Sequence, residues 1–564
     1  MKHNDHSYPW VPDLGDGTYR NPVLHADYSD PDVVRVGSDF FLTASSFQCT
    51  PGLPILHSRD LVNWRIVNHA LKALPDPRYA EVQHGHGVWA PAFRHHDGKF
   101  WIVFPTPDEG IYVTTADHPE GDWSEPHLLM AGKGLIDPCP LWDDDGKAYL
   151  IHAYAGSRAG IRNKLHVRPM SPDARTILGD GEIVAEIDPA LPALEGPKFL
   201  KRNGWYYISA PGGGVPTGWQ TLFRSRHIYG PYEEKILLAQ RGTEVNGPHQ
   251  GALVDTPAGD WWFLHFQEKQ PYGRIVHLQP VRWEDDWPLI GEEQDENGVG
   301  RPVLRHRMPL ACDNPPLVPL DSDEFDQPTL GMQWQWHANA SNDWFSLSSR
   351  PGRLRLKPRF VKDGVLSNAP NVLLQKFPAP EFSVDTRMEL PSGHSHLRAG
   401  LVVMGERYAA LEAKREDAGY LVRLMVSGAC VGEAVTVTEA SDVTLMVRVD
   451  NGGLCRFGIA TAIAPFYQVG PAFQAVPGVW IGAKVGLFCI STVPGVESGH
   501  AEFEWFRFRS VMSPTKPELH VVNSQADHKS ALLSGERMEF DPPSPVPYGN
   551  NSEAHRNASA PTRK

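Results

Sequence analysis

The chain has 564 residues, 41% of them apolar and 21% charged, with a formal net charge of −14. So long a chain exceeds one hydrophobic core, and two or three domains are expected. The acidic balance argues against nucleic acid or an anionic membrane as a partner, and no apolar run reaches the roughly 18 residues of a membrane span.

Five copies of one pattern fill the first half: a proline, five to nine residues, a polar turn, then an aromatic strand. The first runs from Pro31 to Ser38-Asp39-Phe40-Phe41 and the second from Pro91 to Asp97-Gly98-Lys99-Phe100-Trp101. The third runs from Pro138 to Asp145-Gly146-Lys147-Ala148-Tyr149, the fourth from Pro197 to Asn203-Gly204-Trp205-Tyr206-Tyr207, and the fifth from Pro248 to Ala258-Gly259-Asp260-Trp261-Trp262. Successive prolines stand 60, 47, 59 and 51 residues apart, so each unit has room for about four strands. Asp-Gly and Asn-Gly between apolar runs favour tight hairpins, because both turn residues must reach positive φ. Four-stranded units in an aromatic, turn-rich chain predict a five-bladed β-propeller over residues 15–305.

Residues 306–320 carry prolines at 309, 315, 316 and 319 and read as a linker. Over 321–510 the texture becomes short alternating runs such as Arg353-Leu354-Arg355-Leu356-Lys357 and Glu502-Phe503-Glu504-Trp505-Phe506-Arg507-Phe508. Alternation of that kind marks half-buried antiparallel strands, and about ten of them predict a β-sandwich, all-β like the propeller. Residues 511–564 are rich in Pro, Ser, Asn and charge and read as an irregular or disordered tail. Six cysteines (Cys49, Cys139, Cys312, Cys430, Cys455 and Cys489) lack paired spacing and read as reduced, mostly buried thiols. The first residues hold no apolar signal-type core, so a cytoplasmic protein is the default reading; a secreted form with its signal removed reads the same way.

In a propeller, equivalent ends of the innermost strands converge on one mouth of the channel. The repeat then supplies Asp30, Trp89, Asp137, Glu195 and His249 as one ring, each within two residues of its unit's proline. A single Asp-Pro pair more often caps a turn. Three acids in register, with an aromatic and a histidine, point instead to a site. Twelve of 17 tryptophans fall before residue 300, and sugar rings stack on such side chains, although tryptophan also fills cores.

At these residues the chain resembles glycoside hydrolase family 43. The likeness lies in Asn21-Pro22-Val23-Leu24, Ser29-Asp30-Pro31-Asp32, Gly87-Val88-Trp89-Ala90-Pro91, Ile136-Asp137-Pro138, Leu194-Glu195-Gly196-Pro197, Gly247-Pro248-His249 and Tyr272-Gly273-Arg274, in that order. The resemblance implies a five-bladed propeller followed by a concanavalin-like sandwich. It implies an exo-acting β-xylosidase or α-L-arabinofuranosidase that inverts configuration on xylan-type or arabinan-type oligosaccharides. Asp30 would be the base that activates water, Glu195 the acid, and Asp137 the group that orients Glu195 and raises its pKa. Inversion needs the two working carboxyls about 6.5–9.5 Å apart. Arg274 would bind sugar hydroxyls and Trp89 would stack on the sugar. His249 would sit on the propeller axis, where similar enzymes hold calcium; a hydrogen-bonded core histidine is the equal alternative. Trp480, in Gly478-Val479-Trp480-Ile481-Gly482, is the candidate lid, against a plain core tryptophan.

Departures from the pattern leave the sugar open. After Phe47 stands Gln48-Cys49-Thr50 in place of a bulky aromatic stretch, and Ile136 precedes Asp137 where similar xylosidases tend to have Phe. Phe47 and these neighbours would line the pocket. The glycine run ending at Trp219 is a candidate rim, with a structural turn as the alternative, and His86 is a candidate neighbour of the pocket. Two competing readings are a sugar-binding propeller without catalysis and a retaining fructan-cleaving propeller enzyme. The latter usually carries Asn-Asp-Pro where this chain has Ser29-Asp30-Pro31.

Overall fold

A computed structural model describes residues 8–187, 193–311, 316–438, 440–460 and 465–511. Cys312 and the tail from 512 onward lie outside them, as does part of the expected linker. Residues 32–290 form five antiparallel four-stranded sheets, each a meander in sequence order. Their innermost strands are Asp32–Val36, Ala92–His96, Leu135–Trp142, Lys198–Arg202 and His249–Asp255, and the last packs back beside the first to close the ring.

The sequence dictates much of this locally. Asp97-Gly98 and Asn203-Gly204 are two-residue turns with both residues at positive φ (49° and 71°, 51° and 71°), the geometry whose twist matches paired strands. Between blades the seams are apolar; Phe93, Phe100, Phe104 and Tyr79 share one cluster with Phe41 and Ile55 of blade one. Truncating one such phenylalanine to alanine costs about 3–5 kcal/mol.

The ring is clasped by the N-terminal segment. Thr18–Arg20 pairs with Arg305–Arg307, so the first residues of the expected linker belong to a strand. Leu24 exchanges backbone bonds with Val276 (3.3 and 3.0 Å) in the third strand of blade five, Arg274–Glu284, and Tyr28 N donates to Arg274 O at 3.1 Å. Asn21 spans Leu278 O and Val303 O, both at 2.8 Å. This clasp brings the chain start, with Asp30, against the strand that begins at Arg274.

Among the described residues, 322–509 build two facing sheets. One runs Gln335–Trp336, Leu373–Lys376, Lys484–Ser491, Leu397–Met404, Ala409–Glu416, Gly419–Val426 and Ala429–Cys430. The other centres on Ala501–Arg509, Phe382–Glu389, Val443–Asp450 and Leu454–Ala460. Their alternating inward residues form one apolar core that also takes in Tyr272 and Ile275 of blade five. The sandwich is bonded to the propeller through backbone. Thr50 and Trp336 exchange N–H···O bonds of 3.1 and 2.6 Å, and Ala483 N donates to Pro271 O at 2.8 Å. Tyr272 adds a side-chain tie, donating to Pro380 O at 2.6 Å and accepting from Gly452 N at 2.8 Å. The free thiols Cys49, Cys139, Cys455 and Cys489 are buried and Cys430 is exposed.

Candidate active site

One mouth of the propeller holds a pocket of about 100 Å³ lined by Asp30, Asp137, Glu195, Arg274, Trp89 and Trp480, with Phe47, Gln250 and Val215 beside them. Asp30 sits at φ 56° just before its blade's inner strand, nearly inaccessible to solvent. Its Oδ2 accepts hydroxyl bonds from Ser29 (2.6 Å) and Ser45 (2.5 Å). Arg274 Nη1 lies 3.2 Å from its Oδ1 and also donates to Ser29 Oγ at 2.8 Å. A buried carboxylate with a cation and two hydroxyl donors around it is held in one orientation.

Asp137 occupies the matching place in blade three, at φ 54° and on a β-bulge in the inner strand. Bulges re-aim a side chain out of strand register, here into the mouth. Gly196 N donates to its Oδ2 at 2.8 Å, so Asp137 fixes the backbone next to Glu195. Burial, then the charges of Glu195 and Asp30, push the Asp137 carboxyl up to about 8. The raised carboxyl, Asp137, holds a proton at neutral pH within a cluster of three neighbouring acids. Strongly coupled acids titrate as a set, so that proton belongs to the group and is transferable within it. Glu195 is the most open of the three, its side chain 29% exposed at the entrance.

Beneath the acids lies a buried ionic tie across four blades. Asp32 Oδ2 accepts from Arg94 Nη1 (2.8 Å) and lies 3.4 Å from Lys198 Nζ, which donates to Pro91 O at 2.5 Å. Arg94 Nη2 reaches Cys139 Sγ at 2.8 Å. With two cations against one carboxylate, this layer opposes the negative charge above it, and Lys198 favours the ionised form of Asp137.

The walls are aromatic. Trp89 donates from Nε1 to Gly85 O at 3.0 Å and carries the Arg158 guanidinium 4.8 Å over its ring. Trp480 comes from the sandwich, on the tip of a tight turn closed by Gly478 N→Ile481 O at 2.8 Å. Its ring meets Trp89 edge-on at 5.9 Å and stands 6.0 Å from the Arg274 guanidinium. It is 49% exposed, so it belongs to the pocket's rim rather than to the sandwich core. Phe47 is bonded to Val88 by paired backbone bonds of 2.9 and 3.0 Å, and Gly87 is needed there because a Cβ would come 2.2 Å from Phe47 O.

Two expected residues lie elsewhere. Trp219 does not line the pocket; it packs on the glycine run, where a Cβ at Gly213 would fall 2.5 Å from its ring. His249 is fully buried behind Glu195, with Nε2 3.4 Å from Glu195 Oε1 and Nδ1 lacking a protein partner. Calcium takes roughly six to eight oxygen ligands, and one imidazole nitrogen does not supply them. Among the described residues no group of three His, Cys, Asp or Glu side chains is assembled for a metal. The protein atoms around His249 therefore do not form a calcium site by themselves, and no step of the proposed reaction is routed through a metal. Blade five instead offers Gln250, at φ 38° on a bulge, to the pocket. The positive-φ residues at equivalent places are Asp30, Asp137, Gly196 and Gln250, so Glu195 and His249 each stand one residue ahead of that register. Gln250 and Arg158 carried no sequence signal, whereas Val215 belongs to the glycine-rich segment 212–219 read from the sequence as a candidate rim. His86 lies behind Trp89's neighbour Arg158, and both bond to Asp108 (2.6 and 3.2 Å).

Comparison with known proteins covers both domains. Residues 19–288 match the profile of glycosyl hydrolases family 43, and 322–509 match the β-xylosidase C-terminal concanavalin A-like domain. A β-xylosidase from Formosa agariphila is 31% identical over 88% of this chain and 91% of its own. A non-reducing end α-L-arabinofuranosidase from Bacteroides ovatus is 27% identical over 88% and 96%. The crystal structure of a xylan β-1,4-xylosidase from Bacillus halodurans superposes with a TM-score of 0.76 at 26% identity, covering 87% of this chain and all of that one. Because the likeness runs through propeller and sandwich in one order over nearly the whole described length, the chain belongs to glycoside hydrolase family 43 and is a glycosidase.

Proposed function

We propose that this glycosidase releases a terminal pentose, xylose or arabinofuranose, from xylan-type oligosaccharides with inversion of configuration. Asp30 takes a proton from water as the water oxygen attacks the anomeric carbon. Glu195 gives its proton to the glycosidic oxygen as that bond breaks. One water is consumed; the pentose leaves with inverted configuration and the shortened chain leaves as an alcohol. Asp137 stores a proton beside Glu195 and holds its backbone through Gly196. The observation that carries this reading is the asymmetry of the two working acids. Asp30 is buried, charge-paired and bound by serine hydroxyls, as a base at the closed end requires, while Glu195 is partly exposed where a leaving chain would emerge.

Relatives named for xylose and for arabinofuranose both match this chain over nearly nine-tenths of its length, so both sugars stand in the proposal. Proton NMR of the first-formed sugar from an aryl β-xyloside and an aryl α-arabinofuranoside tests it. The inverted anomer is expected; the retained anomer would make Asp30 a nucleophile and overturn the water-attack assignment. No turnover of either substrate would favour sugar binding without catalysis.

A further inference from the structure

Trp480 reaches the pocket from the sandwich, and its turn must be registered against the propeller to stay there. The residue that does this is Asp27, three positions before Asp30 and itself 4% exposed. Its Oδ1 accepts from Arg274 N at 2.9 Å and its Oδ2 accepts from Gly482 N at 2.9 Å. The two amides lie 247 and 455 residues away in sequence. One carboxylate thus joins the backbone that carries the arginine of the base to the backbone that carries the rim tryptophan. The packing leaves no slack: a Cβ at Gly273 would fall 2.6 Å from both Asp27 Oδ1 and Gly482 N, and one at Gly482 would fall 2.6 Å from Tyr272 O. Trp480 itself is held at φ 66°, a conformation a bulky side chain keeps only when its surroundings impose it.

We propose that Asp27 is a positioning residue that sets the depth of the pentose pocket by fixing the Trp480 turn on the Arg274 hairpin. Charge-assisted bonds to buried amides hold their geometry more stiffly than neutral ones. An asparagine at 27 would keep one acceptor but turn an N–H toward the other amide, so the two backbones could no longer share the residue. The inference rests on Trp480 acting as the end wall for a terminal sugar.

The test is a double-mutant cycle on the full chain, reading kcat and KM on an aryl pentoside and Ki for the free pentose. Asp27→Asn is expected to raise KM and Ki about tenfold, the loss of one charge-assisted bond, with kcat changed far less. Trp480→Ala should do the same. In the Trp480→Ala background, Asp27→Asn should then add less than about twofold, because the wall it positions is gone. Additive penalties would refute the coupling while leaving the wall intact. A Trp480→Ala enzyme with unchanged KM and Ki would remove the wall and this inference with it. Should Asp27→Asn lose its folded melting transition, Asp27→Ser, whose hydroxyl still accepts one amide, takes its place in the cycle: coupled penalties support the proposal and additive ones overturn it.

Discussion

Asp137→Asn should make the protein more stable, and increasingly so as pH rises. The Asp137 carboxyl is pushed up to about 8 by burial and by the charges of Glu195 and Asp30, against about 3.9 in an unfolded chain. A carboxyl raised on folding is a penalty on the native state in its charged form. That penalty is absent below about pH 4, grows as pH rises, and is complete above about pH 8. Between those limits the native state holds one proton that the unfolded chain has lost, so stability falls by up to about 1.4 kcal/mol per pH unit. Asparagine never ionises, and its side-chain oxygen can still accept from Gly196 N. From pH 5 to pH 7 the mutant's advantage should therefore grow by up to about 3 kcal/mol, or about 5 °C in a domain of this size. Paired calorimetric scans of both proteins at pH 5, 6, 7 and 8 read it directly. Turnover should fall at the same time, as expected where a site stores strain for function. A Tm difference that stays flat across this range, or a wild type that is the more stable at pH 7, would show that no proton is retained at Asp137.

Asp30→Asn should abolish turnover of every substrate, whereas Glu195→Gln should cripple poor leaving groups far more than activated aryl ones, since good leaving groups need little protonation; equal losses on both substrate types, measured as kcat/KM, would remove Glu195 from the acid role. Lys198→Met takes away a buried cation that favours the ionised form of Asp137 and stands three residues from Glu195, so both limbs of the pH–rate bell should move to higher pH, by about one unit; a uniform loss of rate with unmoved limbs would mean that Lys198 only ties blades together. Prolonged chelation should leave activity and Tm unchanged if His249 acts through its contact with Glu195 alone, and a loss restored by added calcium would show that water completes a metal site that the protein atoms do not.

The propeller was legible because its cause is local and repeated. A polar turn recurs at a fixed place in each unit, Asp-Gly or Asn-Gly in three of the five, and such a turn dictates a hairpin without help from distant residues. The three acids were legible for the same reason, since all stand just before a repeat's proline and the ring brings such places together. Trp219 shows the limit of that logic. An aromatic beside glycines reads alike whether it faces a ligand or covers backbone, and the choice depends on packing that no spacing encodes. The expected free linker failed at His306 and Arg307 because their partners, Thr18–Arg20, lie at the other end of the chain. Asp27 was invisible for that reason too: its importance comes from amides 247 and 455 residues away.

What separates the pocket from the rest of the fold is its backbone. Of the eleven residues that line it, five are non-glycine residues at positive φ: Asp30, Phe47, Asp137, Gln250 and Trp480. Elsewhere among the described residues such residues are a small minority, and six of the thirteen are Asp or Asn. Aspartate tolerates this conformation; phenylalanine, glutamine and tryptophan do so only under constraint. The constraint is visible in each case. Phe47 is bonded to Val88, Gln250 lies on a bulge against Gly196, and Trp480 tips a closed turn pinned through Gly482 to Asp27. A glycine at any of the five would relax the backbone but remove the side chain that the pocket needs. Asp27 of the propeller thus holds the strained Trp480 turn of the sandwich at the rim, which is why the site requires both domains although its three acids all come from the first.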